Sequence, residues 1–443
     1  MTTVAGELAA FAVAQRAQPL PAPARHGAVR AVVDWVSAVV PGSALPPPRI
    51  LTEALGTGTG AARLVPSGRP ADVRTAALLN GTAAHAAELD DIYRDGLYHP
   101  GAPTVAAALA VAEHADVTGE ALLRAITIGY EVGGRVALAV APAHYRNWHP
   151  TGTAGAIGAA AAAAEILQLD DIRFANALAI ATTMAAGLQQ TIRTGSMGKP
   201  LHAGHAAEAG TLAALAAGKG LTGALDVLEG AAGFGVATAG ITDLRVDGLG
   251  DPFCVTQTTV KCHACCGHTF AAIDAALELR AGGVRAEDVG RVEIETYRVA
   301  KQIAGHANPA SPEQARFSLA YTVAAALVLG SVRLGAFTPE ALAHPVIRRL
   351  TAATTVRVDR ELDAMAPRRR AARLRLTGHD GDRLERLRLT RKGDPDDPLQ
   401  DSELRAKYDE LVVPFLGEQR AASIARTLWD LPRLERVRDL DWG

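Results

Sequence analysis

From about residue 5 to residue 240 the chain is a succession of alanine-, leucine- and valine-rich stretches at helical spacing, separated by short breaks of glycine, proline and aspartate. Apolar residues that recur every three or four positions form a stripe along one side of a helix, so this region is predicted to be all-helical. The clearest stretches are 104–115, 119–140, 153–168, 171–189 and 204–218. Because many of their residues are small, neighbouring backbones can approach closely, and we expect a dense bundle.

After about residue 255 the helical spacing gives way to alternation of apolar and polar residues, which is typical of half-buried strands. The alternating segments are RVEIETY (291–297), TTVRVDR (354–360), ARLRLTG (372–378) and LERLRLT (384–390). The turn sequence GHDGDR lies between the last two, which are therefore predicted to form a hairpin. Helices are expected at 268–281 and 312–328, the second with proline in its first turn after Ser311.

A chain of 443 residues is too long for one ordinary core, because single cores stop growing at about 250–300 residues. We expect a mainly α protein with two domains: a large all-helical bundle over 1–258 and a smaller α+β domain over 259–399. A breaker, GDPDDPLQ, ends the second domain, and SELRAKYDELVVPFL then returns to helical spacing. Residues 400–443 are therefore predicted to complete the helical domain.

The composition limits the classes of partner. The net charge is −2, with no block of like charge before residue 368, so nothing favours nucleic acid. The longest apolar run, 154–164, is shorter than the roughly 20 strongly apolar residues that span a bilayer. Four cysteines in a chain of this length do not make a disulfide framework, and the N-terminus lacks the features of a signal peptide. We expect a cytoplasmic protein with no membrane partner.

An acidic stretch precedes a histidine and a Pro-Gly loop. Glu88, Asp90 and Asp91 lie eight to eleven residues before His99. Mutual repulsion of carboxylates raises the pKa of one of them toward a catalytic range, and the group indicates either a general base or a metal site. The alternative is a capped helix end with solvated acids, and the spacing alone leaves both open.

Two further stretches combine basic side chains with a helix start. His149 precedes PTGT and a long alanine helix, whose N-terminus favours a carboxylate; alternatively Thr151 or Thr153 merely caps that helix. Lys199 is predicted in a glycine-bordered loop, GSMGKP, ahead of His202, from where it can reach an anion as a point charge. Arg193 is a weaker candidate for a bidentate carboxylate contact.

The segment VKCHACCGH resembles a metal site at first sight, with three cysteines and two histidines within seven residues. Structural zinc normally needs a second ligand pair at a distance, and nothing downstream supplies one, so a buried turn of small residues is the favoured interpretation. Lys261 is a candidate carboxylate anchor at its entry. Tyr321, by its position in ARFSLAYTVAAAL, is most simply a core aromatic.

In order and spacing these stretches resemble the MmgE/PrpD family, which includes 2-methylcitrate dehydratases, cis-aconitate decarboxylases and an iminodisuccinate epimerase. The resemblance covers nearly the whole chain and includes LLNGTAAHAAELDD, ITIGYEVGGRVA, LEGAAGFG and FSLAYTVAAAL. It implies a helical domain with an α+β lid, an active site in the cleft between them, a homodimer, and neither metal nor organic cofactor.

The resemblance also implies roles for individual residues. The catalytic candidates are His99, His149, Asp90, Asp91, Lys199 and Tyr321. The candidates for substrate binding are Glu88, Lys199, His202, Lys261, His263, His268 and Phe270. One position departs from the family pattern, because Phe270 stands where the second histidine of the lid motif is expected, and a phenyl ring cannot transfer a proton. His268 takes its place only if this segment is extended, since residues i and i+2 then share a face.

The family's common chemistry is proton transfer beside a carboxylate of a small di- or tricarboxylic acid. Cationic groups hold the substrate carboxylates, and a base moves the proton. We expect Lys199, His149 and the helix N-terminus to hold the substrate. We expect His99 or the acidic side chains to move the proton. We expect a cofactor-independent lyase, foremost a 2-methylcitrate dehydratase-like hydro-lyase. The alternatives are a cis-aconitate decarboxylase-like carboxy-lyase, an iminodisuccinate epimerase-like isomerase, or a non-catalytic carboxylate-binding relative.

Overall fold

The computed structural model describes residues 3–194, 196–366 and 368–442. The chain forms two compact units, one of Met1–Val260 with Gln400–Gly443 and the other of Lys261–Leu399. The first is called the helical unit below and the second the α+β unit. The predicted fold class, a mainly helical domain with an α+β second domain, is confirmed.

The first part of the helical unit has eleven α-helices and two short strand pairs among its described residues. The helices are α1 (Val4–Ala14), α2 (Ala22–Ser43), α3 (Pro46–Leu55), α4 (Val73–Ala86), α5 (Gly101–Ala115), α6 (Gly119–Val140), α7 (Pro150–Ile166), α8 (Asp171–Thr183), α9 (Gln190–Arg193), α10 (Gly198–Gly218) and α11 (Phe234–Ala239). The strands are β1 (Ala62–Arg63), β2 (Pro70–Ala71), β3 (Ile92–Tyr93) and β4 (Thr258–Thr259). The strand pairs β1–β2 and β3–β4 correct the expectation that this part is purely helical.

Capping residues and small side chains explain these helices. Side chains of Asp72, Thr118 and Asp170 accept backbone N–H groups at the starts of α4, α6 and α8. Every residue of α7 is buried. A Cβ added at Gly129 of α6 would lie 2.8 Å from the carbonyl oxygen of Gly158 on α7, so the two backbones approach as closely as the sequence predicts.

Two helix boundaries differ from the prediction. Helix α8 ends at Thr183 instead of continuing to 189. Helix α10 begins at Gly198 instead of 204, so Lys199 and His202 lie on a helix and not in a loop. Proline within the first turn is compatible with helix geometry, which is why GKP extends α10 toward its N-terminus. Gly195, which opens the predicted loop, lies outside the described residues.

The α+β unit contains seven helices and one four-stranded sheet in its described residues. The helices are α12 (Phe270–Ala281), α13 (Arg298–Ile303), α14 (Pro312–Arg316), α15 (Leu319–Leu329), α16 (Pro339–Ala343), α17 (Pro345–Ala352) and α18 (Arg360–Met365). The strands are β5 (Val289–Thr296), β6 (Thr354–Val358), β7 (Ala372–Gly378) and β8 (Arg383–Arg388). The sheet order is β6-β5-β7-β8, with β5 parallel to β6 and the other pairs antiparallel.

The four predicted strands and the predicted hairpin β7–β8 are present. The helix expected over 312–328 is divided into α14 and α15. Ser318 interrupts it with extended backbone angles, and its hydroxyl accepts the backbone N–H of Tyr321 as a new N-cap. The predicted cap at Ser311 is also present, accepting from Gln314.

The C-terminal segment belongs to the helical unit. It forms α19 (Asp401–Leu416) and α20 (Glu418–Trp429). Lys407 of α19 is fully buried, and its Nζ donates to Asp34 Oδ1 at 2.6 Å and to the Leu89 carbonyl at 2.9 Å. Asp34 lies on α2, so this side chain joins three segments that are far apart in the sequence.

Among the described residues no single helix is long and apolar enough to cross a membrane. The bent pair α2 and α3, at 74°, meets the criteria of length and composition together. Most of α2 is buried, as in the core helix of a folded domain.

Candidate active site

The acidic loop that follows α4 is buried. Asp90 and Asp91 are 1% and 4% exposed, so the alternative of solvated acids at a helix end is wrong for these two. Glu88 is half-buried and has a left-handed backbone with φ 59°. The loop leaves α4 directly after His85, which occupies the last turn of that helix and is fully buried.

Asp90 lies between two histidines. Its Oδ2 is 2.6 Å from Nδ1 of His85 and 3.3 Å from Nδ1 of His99. The two rings meet edge to face with centroids 4.9 Å apart. The backbone N–H of His99 donates to the Thr151 hydroxyl at 3.2 Å, which connects the histidine loop to the start of α7. Because the His99 side chain keeps 15% exposure, it is the member of this group that can meet a ligand.

Asp91 supports the start of α5. Its Oδ1 accepts the backbone N–H of Gly101 at 2.9 Å. Burial, with the nearby charges of Asp34 and Asp90, raises its pKa to about 8, against a smaller opposing effect of the Gly101 hydrogen bond. The expectation that one carboxyl of this stretch has a raised pKa is therefore met, although burial contributes more than repulsion.

The stability of the protein should show the titration of Asp91. Between its ordinary pKa of 3.8 and about 8 the folded state holds a proton that the unfolded chain has lost, so stability falls as the pH rises, by about 1.4 kcal/mol per pH unit. Asp91→Asn keeps the acceptor for Gly101 and removes this slope. Urea unfolding of both proteins at pH 5, 6 and 7 measures it, and equal slopes would contradict the assignment.

His149 is the N-cap residue of α7, and its side chain makes no capping hydrogen bond. Its Nδ1 lies 3.2 Å from Nδ1 of His202, and its ring stacks on that of His85 with centroids 5.5 Å apart. Burial, and then electrostatic interactions with His85, Lys199, His99 and His202, hold the pKa of His149 well below its usual range. A lowered pKa favours the neutral imidazole, which suits a hydrogen-bonding role for His149 better than a cationic one; its expected role as an anchor stays a prediction.

The two threonines proposed as caps have other partners. Thr151 receives the His99 N–H, as described above, and the Thr153 hydroxyl is 2.8 Å from Nε2 of His144. The pKa of His202 is also lowered, to about 4, by burial first and then by His85, His205 and Lys199. The lowered pKa values of His149 and His202 favour the neutral form of both imidazoles.

Lys199 forms an ion pair with Glu88 from the first turn of α10. Both side chains are about one-fifth exposed, so the ammonium group is accessible to a ligand at the edge of the imidazole cluster. Arg193 does not join this group; it donates to the carbonyl of Arg146 at 2.9 Å.

His85, Asp90 and His99 also meet the distance criterion for a metal site, with one ligand atom from each within 4.8 Å of the others. Zinc ligands at 2.0–2.1 Å in a tetrahedron lie about 3.3 Å apart. The 2.6 Å between His85 and Asp90 is instead a hydrogen-bond distance. The geometry favours a hydrogen-bonded group, and the absence of a metal from the reaction stays a prediction.

In the α+β unit the turn that contains CHACCGH is held by arginines. Arg333, Arg316 and Arg391 donate to the carbonyls of Cys262, Ala264 and Gly267 at 3.2, 3.0 and 3.0 Å. Lys261 is buried, and His263 Nε2 lies 2.9 Å from Asp274 Oδ1. The favoured interpretation of a mostly buried turn agrees with this arrangement.

His268 and Phe270 have different surroundings. Helix α12 begins at Phe270, so His268 precedes the helix, and its Nδ1 lies 2.5 Å from the Tyr297 hydroxyl. Burial, then Arg370 and Arg391, hold the pKa of His268 well below its usual range. The Phe270 ring is fully buried, edge-on to His263 at 5.0 Å. The two residues therefore contact different groups, and the replacement of the family histidine by His268 stays a prediction.

Tyr321 is a core residue of α15. Its hydroxyl donates to the Ala336 carbonyl at 2.6 Å, and burial raises its pKa to about 12. This agrees with the simplest interpretation of its sequence context, and its catalytic role stays a prediction.

Sequence reasoning missed three residues of the site. His85 lies inside the stretch AHAAELDD, but apart from its closeness in sequence to Glu88, Asp90 and Asp91 nothing marked it as a site residue. Asp34 and Lys407 are 373 residues apart, and neither belongs to a recognisable motif. Their burial as a pair next to Leu89 connects them with the acidic loop.

The chain matches two family models. The MmgE/PrpD N-terminal domain matches residues 6–247 and the MmgE/PrpD C-terminal domain matches residues 263–431. The chain therefore belongs to the MmgE/PrpD family, as the resemblance indicated, and it is a lyase of this family.

Three curated relatives show the level of similarity. The cis-aconitate decarboxylase-like protein oryM of Aspergillus oryzae is 28% identical over 395 residues, which cover 83% of this chain and 81% of the relative. Cis-aconitate decarboxylase of Homo sapiens is 30% identical over 289 residues, 62% of this chain and 59% of the relative. Cis-aconitate decarboxylase of Aspergillus terreus is 26% identical over 410 residues, 86% and 83% of the two chains.

Proposed function

We propose that this lyase is a cofactor-independent carboxy-lyase that acts on an unsaturated tricarboxylic acid of the cis-aconitate type. The observation that carries the proposal is the cluster of His85, His99, His149 and His202 around Asp90, with the ammonium group of Lys199 at its edge. The names of the relatives support decarboxylation over the dehydration of 2-methylcitrate that was expected foremost.

The charges of the cluster suit a polyanionic substrate. Lys199 is paired with Glu88 in the structure, and a substrate carboxylate would share that ammonium group. The N-terminus of α7 adds the partial positive charge of a 17-residue helix beside His149. Neutral imidazoles at His149 and His202 then serve as hydrogen-bonding groups, with no need to lose a charge when the site is desolvated.

The reaction requires one proton. The bond between the allylic methylene carbon and its carboxylate breaks and releases CO2. The electron pair of that broken bond forms a new double bond between the methylene carbon and the central carbon. The electron pair of the former double bond takes up a proton at its other end, the far carbon. Atoms balance when one acid group supplies that proton and recovers it from solvent.

We assign this proton to His99. Of the two histidines whose rings lie against Asp90 it is the partly exposed one, and Asp90 lies 3.3 Å from its Nδ1. The carboxylate orients the ring and balances the charge of an imidazolium, as an aspartate does beside a catalytic histidine. Tyr321, Lys261, His263, His268 and Phe270 of the α+β unit remain predicted site residues.

Proton NMR of the purified protein in heavy water, with cis-aconitate, 2-methylcitrate, citrate and iminodisuccinate, tests the proposal. We expect itaconate vinyl signals from cis-aconitate. Dehydration of 2-methylcitrate without turnover of cis-aconitate would replace the proposal by the hydro-lyase. Binding of these acids without any turnover would favour the non-catalytic relative.

Lys199→Met should weaken substrate binding more than it slows the chemical step. We expect KM for cis-aconitate to rise by about tenfold or more, the effect of losing one charge-assisted contact. Lys219→Met, at the exposed C-terminal end of the same helix, is the matched control and should leave KM unchanged. Steady-state kinetics of the three proteins decide, and an unchanged KM for Lys199→Met would remove Lys199 from substrate binding.

We further propose that the protein is a cytoplasmic homodimer, as the resemblance implies. Light scattering after size exclusion should give twice the mass of the 46.0 kDa chain. A monomeric mass at micromolar concentration would contradict it.

A further inference from the structure

We propose that His85 is a positioning residue, which fixes the Asp90 carboxylate so that this carboxylate orients His99. The inference rests on the proposed function, in which His99 moves the proton. The geometry that carries it is the shared oxygen: Oδ2 of Asp90 is 2.6 Å from Nδ1 of His85 and 3.3 Å from Nδ1 of His99.

Burial separates the roles of the two histidines. His85 is 0% exposed, in the last turn of α4. The side chain of His99 is 15% exposed. A fully buried imidazole does not touch substrate, so any effect of His85 on the reaction passes through Asp90.

The hydrogen-bonding capacity of the groups fixes the proton positions. An ionised carboxylate only accepts, so the ring nitrogen of His85 that faces Asp90 carries hydrogen. Its other nitrogen, Nε2, is buried without a hydrogen-bond partner among the described residues, while the His149 ring stacks on its face. His85 is thus held as one tautomer. The 3.3 Å between His99 Nδ1 and the same oxygen is an ion-pair distance without hydrogen-bond alignment in the structure. Once the His99 ring turns its Nδ1–H toward that oxygen, its Nε2 is left as the atom that gives up and regains a proton.

A purely structural role for His85 makes a different prediction. If the His85–Asp90 pair only stabilised the loop after α4, any residue that kept the fold would keep the reaction. If His85 positions Asp90, the replacement must supply a donor at the Nδ1 position. Asparagine places its amide nitrogen close to that position, whereas leucine fills similar space with no donor.

The test compares His85→Leu and His85→Asn with the wild type in the full-length protein. In metal sites, loss of the hydrogen-bonding partner behind a ligating histidine typically costs 10- to 100-fold, and we expect an effect of the same order for the partner behind His99. We expect His85→Leu to lower kcat for cis-aconitate by about that factor, with KM changed by less than about threefold, and to displace the pH profile of kcat. His85→Asn should recover at least about tenfold of the loss. His114→Asn, an exposed histidine on α5, is the control and should match the wild type.

Two results would overturn the inference: a folded His85→Leu protein with wild-type kcat and pH profile, or equal losses in folded Leu and Asn variants. The ring nitrogen shifts of His99 in ¹⁵N-histidine NMR give a readout that does not depend on turnover. We expect Nδ1 to be protonated in the wild type and in His85→Asn. If His99 keeps a protonated Nδ1 in His85→Leu, the inference is contradicted, and this holds even if the wild type does not decarboxylate cis-aconitate. If His85→Leu does not fold, the His85→Asn variant decides: loss of the protonated Nδ1 there would contradict the inference.

Discussion

Replacement of His99 by alanine should lower kcat/KM for cis-aconitate by about 10²- to 10⁴-fold, the usual contribution of a positioned general acid. The variant keeps His85 and Asp90 but loses the one imidazole of that group that is exposed to a ligand. Because the side chain is polar and partly exposed, the fold should persist, and near-wild-type unfolding in urea would establish this.

The control for this experiment is His114→Ala. His114 lies on α5, the helix that follows the His99 loop, and its side chain is exposed. Its kinetic constants should equal those of the wild type. If His99→Ala kept more than about a third of wild-type kcat/KM, His99 would not be the proton donor.

Lys407→Met should lower the free energy of unfolding by about 3–5 kcal/mol, because removal of one partner of a buried ion pair leaves the other charge buried without a partner. Asp34 would then be charged without a partner or protonated. Protonating a carboxyl of ordinary pKa 3.8 at pH 7 costs about 4 kcal/mol, which agrees with that range. Loss of the hydrogen bond to the Leu89 carbonyl should also displace the acidic loop and lower kcat.

Urea unfolding of the single variant and of Lys407→Met with Asp34→Asn measures this effect. We expect the double variant to recover more than half of the lost stability, because the stranded carboxylate is gone. Asp409→Asn removes the partly exposed pair of Arg405 and Asp409 on the same helix and should cost less than about 1 kcal/mol. A single variant as stable as Asp409→Asn would show that the buried pair contributes no more than a surface pair.

The sequence predicts the strands of the α+β unit well and some helix limits poorly. Strands such as β7 bury alternate side chains, and this alternation is visible in ARLRLTG. The break at Ser318 is invisible, because the apolar spacing continues across it and only a local hydroxyl contact starts the new helix. The start of α10 was missed because glycine and proline are common to loops and to first turns.

For the site, the sequence predicts chemistry but not the assignment of charge. Asp90, His99, His149 and Lys199 stand in short segments rich in glycine and proline, and the structure brings all four into the helical unit's cluster. The lowered pKa of His149 follows from its burial and its neighbours in the fold, which no local pattern contains. The contribution of Lys407 depends on packing between segments at opposite ends of the chain.

The measurement that tests the central claim most directly is the mass and proton spectrum of itaconate formed from cis-aconitate in heavy water at early times. If an exchangeable side-chain acid protonates the far carbon, the product carries one deuterium, in its saturated methylene group. Itaconate without deuterium, or no itaconate from the folded wild-type protein, would contradict proton delivery by this cluster.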